Sequence, residues 1–152
     1  MLLDQMINKI MTYDRIDWHS GNNFPKDLPK DNGGTHIGMF LSWIINNNLI
    51  GDLHINNSEN SLNQVKNRLM TGRNFLIKEC DSKLWPEDLN HEGNLFAQYY
   101  YANDNDYGQY IDDYSIVFNK YETLYHVEDD WKNYDLIEPI ITQRYNEWKQ
   151  NK

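Results

Sequence analysis

The sequence predicts a mainly α fold: one helical domain over residues 1–152, with irregular loops and minor β content. Three observations predict it. Apolar residues recur at helical spacing in segment after segment. Strand-like alternation never persists; His54-Ile55 and Ser115 to Phe118 are the nearest approaches and both are short. Hydrophobic residues make up 39% and aromatics 14%, with 5 Trp and 11 Tyr, enough large rings to fill one core in a 152-residue chain.

Element by element, residues 2–11 predict a short helix through Leu3, Met6, Ile7 and Ile10. Residues 13–34 predict a loop, because Pro25 and Pro29 block a helix and Asn32-Gly33-Gly34 is a turn. Thr35 is placed to N-cap a helix from His36 to about Leu49, ended by Gly51. Ile37, Phe40, Leu41, Ile44 and Ile45 share one face of that helix, while Met39 and Trp43 line the other, so it belongs at the centre of the core. Ser61 to Gln64 fits a capping box for a helix through Leu62, Val65 and Leu69, closed by Gly72. Residues 73–80 continue helical, Pro86 starts a short turn, and Leu95, Phe96, Tyr99 and Tyr100 mark a helix over about 92–102. Asn103 to Gly108 is an acidic loop. Beyond it the stripe from Tyr110 to Tyr125 predicts a long helix, and a last helix starts at Tyr134 or Pro139 and runs to Trp148.

The net charge of −9 speaks against direct binding of nucleic acid or of anionic membranes, since phosphate recognition needs a positive surface. The charge is concentrated. Residues 104–138 hold 10 acids and 2 bases, net −8, whereas the preceding 103 residues carry net −3. A concentrated field steers a basic partner. Asp104, Asp106, Asp112, Asp113, Glu128, Asp129 and Asp130 are therefore expected to face a protein partner, with Trp131 as an aromatic anchor. The lone Cys80 and the lack of a signal-peptide pattern lead to an expected cytoplasmic location.

A second constellation surrounds the loop: Asp17, Trp18 and His19, then Thr35 and His36. Such side chains serve as general bases, nucleophiles or metal ligands. Yet the five histidines show no HxH or HxxxH spacing, CxxC is absent, and no third partner completes a triad or a metal set, so neither metal nor cofactor is expected. Asp104 to Gly108 departs from a calcium loop in its glycine position and lacks the twelfth-position Glu. Cys80 lies between Glu79 and Asp81, which disfavour its thiolate.

The residues Tyr13 to Gly21, Phe24-Pro25, Leu28-Pro29 and Gly33-Gly34-Thr35-His36-Ile37-Gly38-Met39-Phe40-Leu41, then Trp43, resemble a bacterial domain family of unassigned function. Its pattern is close to WHxGGxFPxxLPxxxGxTHIGMFLxW. Asn22 stands where a second glycine is usual, and Asp31-Asn32 replaces the usual acid before the glycines. The resemblance is specific over residues 13–45 and looser through Cys80-Asp81, Glu87-Asp88-Leu89 and Tyr114. It brings no catalytic residues. Small acidic proteins of this kind resemble the immunity proteins that accompany bacterial toxins. The implied function is toxin neutralisation by direct binding, the partner being a basic toxin or effector domain of the nuclease type. The alternative is a small enzyme or ligand-binding domain built on Asp17, His19, Thr35 and His36.

Overall fold

The computed structural model describes residues 12–103 and 106–151. The helix expected over residues 2–11 lies outside the described residues. The fold is mainly α. Seven α-helices are described: α1 Thr35–Asn46, α2 Asp52–Asn57, α3 Glu59–Lys66, α4 Gly72–Glu79, α5 His91–Tyr100, α6 Gln109–Val117 and α7 Trp131–Gln150. Two small antiparallel sheets accompany them. Strand β1 (Asp14–Arg15) pairs with β2 (Lys83–Leu84), with Asp14 opposite Leu84. Strand β3 (Ala102–Asn103) pairs with β4 (Asp106–Tyr107). No described helix is long and apolar enough to cross a membrane.

Helix α1 is central, and the reason lies in its sequence. Every residue from Thr35 to Ile45 is buried, as a helix apolar nearly all round requires. Its neighbours differ by side. Gly38 and Ser42 form a small-residue strip against which α4 lies at backbone contact: a Cβ on Gly38 would stand 2.5 Å from the Cα of Arg73. The Ser42 hydroxyl turns back to the Gly38 carbonyl at 2.9 Å. On another side Phe40 meets Phe96, Tyr101 and Tyr110 at ring distances of 6.2, 4.9 and 5.4 Å. Each such pair adds about 0.5–1.5 kcal/mol beyond area burial. Trp43 reaches α7, donating its indole N–H to the Thr142 hydroxyl at 3.0 Å. One core cluster runs from Tyr13 to Trp148.

Helix boundaries depart from expectation where capping groups compete. Gly34 occupies the N-cap position of α1, and Thr35 is its first residue, with its hydroxyl accepting from Arg73 Nη1 at 3.2 Å. Helix α1 stops at Asn46; Asn48 turns left-handed, and Gly51 opens α2 instead of closing α1. Helix α3 starts at Glu59, and Ser61 donates to Glu79 at 2.7 Å instead of capping. Gly72 opens α4 behind the Thr71 cap, where the contact with Gly38 requires a missing side chain. Of the expected acidic loop, Asn103 and Asp106-Tyr107 lie in the paired strands β3 and β4. The long helix expected through Tyr125 ends at Val117, and Thr123 caps a 3-10 turn at Leu124–His126. Helix α7 starts at Trp131, because Asp130 caps it, accepting from Asn133 N at 2.8 Å. Pro139 sits inside that helix on its exposed side, where water can satisfy the carbonyl that loses its partner.

Substitution Gly38→Ala sets a helix-propensity gain of about 1 kcal/mol against overpacking of about 1–3 kcal/mol or more. The neighbour is backbone, so overpacking wins and net destabilisation of about 2 kcal/mol is expected by urea denaturation. Gly21→Ala meets nothing within 4 Å and should change stability by under about 0.5 kcal/mol.

Candidate functional site

The motif loop delivers its polar residues to one point. Pairing of β1 with β2 fixes Asp14, and the 3-10 turn Ile16–His19 folds the chain back so that His19 returns over it. Gly33 and Gly34 pass tightly beneath this turn: a Cβ on Gly34 would meet the Ile16 side chain at 2.6 Å. The first turn of α1 then presents His36. Tyr101 arrives from the end of α5, Tyr107 from β4 and Tyr125 from the 3-10 turn after α6.

Asp14 is the hub and is fully buried. Its Oδ1 accepts from His19 Nε2 at 2.7 Å, Tyr107 OH at 3.1 Å and Arg15 N at 2.9 Å. Its Oδ2 accepts from His36 Nε2 at 3.1 Å and Tyr101 OH at 2.6 Å. Burial alone would raise its pKa, but the hydrogen bonds from His19 and His36 overturn that, and the carboxyl lies well below the usual carboxylate range. Burial lowers the His36 imidazole against the pull of Asp14, which keeps the ring neutral. Its Nδ1 is buried with no hydrogen-bond partner among the described residues, at a cost of about 1–3 kcal/mol. His19 Nδ1 meets Tyr125 OH at 2.7 Å. Burial, then the charge of Asp14, pushes the Tyr107 phenol up, so it remains a donor. The two histidine nitrogens and an Asp14 oxygen lie within 4.8 Å of one another.

The residues that form this hub all fall inside one recognisable unit. Residues 12–127 match the family described as a domain of unknown function, DUF7832. The chain belongs to this family. No curated protein and no solved structure matches the chain. The matched span of the DUF7832 domain contains Asp14, His19, His36, Tyr101, Tyr107 and Tyr125 together.

Of the expected loop residues, Asp17 is not brought to the histidine pair. Asp17 is exposed and forms an ion pair with Arg15 at 2.8 Å, while Asp14 completes the histidine pair. Thr35 is buried and bonded to Arg73. Trp18 stands 53% exposed beside the hub.

The DUF7832 domain holds a second buried set. His54 Nε2 meets Asp88 Oδ1 at 2.7 Å and Cys80 Sγ at 3.6 Å, while His54 Nδ1 meets Ser58 Oγ at 3.2 Å. Burial, then the Asp88 carboxylate, pushes the Cys80 thiol far up, so it is no nucleophile. An aromatic disulfide reagent at pH 8 should label native protein at least about 100-fold more slowly than unfolded protein, since the thiolate is the reactive form.

The acidic segment is less uniform than its composition. Asp104 lies outside the described residues. Asp106, Asp112 and Glu128 are exposed. Asp113 points inward: Arg144 forks onto its two oxygens at 3.0 and 3.1 Å, and Tyr100 OH donates at 2.7 Å. Asp129 accepts from the Thr71 hydroxyl at 2.7 Å and pairs with Arg73 at 3.2 Å. Asp130 is used as the α7 cap. Asp113 and Asp129 therefore cannot face a partner as expected, because distant arginines draw them into the fold. Asp113→Ala strands Arg144 and the Tyr100 hydroxyl and should cost about 2–3 kcal/mol. Its neighbour Asp112→Asn should cost under about 0.5 kcal/mol, both read from urea midpoints.

Proposed function

We propose that the chain is a cytoplasmic immunity protein that neutralises a cognate bacterial toxin, a basic nuclease-type effector, by direct binding. The observation that carries this reading is the surface at Trp131. The half-buried indole packs on Tyr134 at 5.1 Å, and Arg68 lies over it at 5.0 Å. Asp135 holds the Arg68 guanidinium through two bonds of 3.0 and 2.6 Å. Next in the chain to these residues, Leu69 is 79% exposed and Leu136 49% exposed. Arg68 itself is left-handed, with φ 60°, a conformation that a non-glycine residue adopts at some cost. An aromatic anchor, exposed leucines and an acidic rim of Glu128 and Asp130 are the anatomy of a protein interface. The charge suits a basic partner. Counting Arg68, Arg73 and Arg144 against the −8 of residues 104–138 leaves −5.

A second reading, a small ligand-binding domain, is favoured by one observation: Asp14 joins His19 and His36 beneath the half-exposed Tyr107.

The test of the immunity reading is pull-down of the chain's partner from its native cell, followed by co-expression of the captured toxin with the chain. Co-expression should restore growth, and Leu69→Asp should abolish that protection while leaving the melting temperature unchanged. Asp112→Asn with Glu128→Gln should slow association at low salt and flatten its salt dependence, because exposed charges act through steering. Failure to protect, or association unchanged by the neutralised pair and by Leu69→Asp, would count against the reading.

A further inference from the structure

We propose that Asp14, His19 and His36 bind one divalent transition-metal ion. The proposal deepens the ligand-binding reading and does not depend on the immunity reading. Both rings turn Nε2 to the same carboxylate, at 2.7 and 3.1 Å, and the three donor atoms fall within 4.8 Å. Ligand atoms held at about 2.0–2.2 Å from a shared ion stand roughly 3–3.5 Å apart. Small shifts of the His19 ring, at the edge of the cluster, are enough to admit one. The rings meet edge to face, with centroids 4.6 Å apart and planes at 85°.

Three further features fit an ion. The buried carboxylate has no lysine or arginine bonded to it among the described residues; the Arg15 guanidinium is turned to Asp17. The surroundings hold the donors as outer partners of metal ligands do: Tyr125 fixes His19 through Nδ1, and Tyr101 fixes Asp14. The Tyr125 hydroxyl can rotate to accept from Nδ1–H, which frees Nε2 for an ion without moving the ring. His36 keeps Nε2 on the same point although its own Nδ1 is left buried and unpartnered.

The donor chemistry selects the class of ion. Two imidazoles and a carboxylate suit zinc, iron(II), cobalt(II) or nickel(II), whereas calcium and magnesium require oxygen ligands. Three protein ligands leave a position open. The Tyr107 hydroxyl, on a half-exposed side chain, stands 3.3 Å from His19 Nε2 beside these donors. The other three-donor set, His54 with Cys80 and Asp88, is sealed from solvent and serves as the internal control.

The experiment is titration of chelator-treated full-length protein with Co2+, followed by visible absorption, and then displacement by Zn2+ followed calorimetrically. One saturable equivalent is expected. His19→Ala should weaken binding at least about 100-fold, as loss of one of three ligands does, and Tyr125→Phe about 10-fold, as loss of an outer partner does. Cys80→Ala should leave it unchanged. The idea is overturned if folded wild-type protein takes up no ion saturably, a result that needs no variant to fold. It is equally overturned if uptake survives His19→Ala but is lost in Cys80→Ala, which would place the ion in the other set.

Discussion

A buried carboxylate must find donors or the chain will not close over it, and Asp14 finds five. An uncompensated ion in that position would cost several kcal/mol. Its partners come from the motif loop, the start of α1, the end of α5 and the β3–β4 hairpin. Segments far apart in the chain are therefore tied at one point, and the tie is polar. The aromatic core around Phe40 supplies the larger, less directional share of stability. Asp14 supplies the direction: it decides how the loop enters α1 and where the hairpin lies against it.

Much of the interior was legible. From Ile37 to Ile45 only the small residues Gly38 and Ser42 interrupt the apolar side chains, which leaves no broad polar face, so the central place of this helix follows from periodicity. Helix ends were less legible. Gly51, Gly72 and Thr35 each carry a terminus signal that packing overrides: Gly72 lies on Gly38, Gly51 on the Glu87 and Leu89 carbonyls, and the Thr35 hydroxyl is taken by Arg73. The hub was half legible. His19 and His36 stood out as residue types, but Asp14 was passed over for Asp17, the acid beside Trp18-His19. Nothing local distinguishes an aspartate that turns inward from one that pairs with the arginine beside it.

The acidic segment illustrates the same limit for charge. Composition reports how many carboxylates a stretch holds, not which way they point. Asp113 and Asp129 are turned by Arg144 and Arg73, which lie 31 positions after and 56 positions before them in the chain. What remains exposed of the expected set is smaller: Asp106, Asp112 and Glu128.

Helix α7 lies wholly beyond residue 127, where the DUF7832 match ends. It nonetheless places Ile137 and Ile141 in the core, receives the Trp43 indole on Thr142 and supplies the counter-ion of Asp113. The unit that recurs and the unit that folds are thus different lengths of chain. The recurring portion carries the hub and the central helix but leaves one flank of that helix open to water. In this chain the residues after 127 supply the apolar face that covers that flank and the cation that meets the carboxylate beneath it.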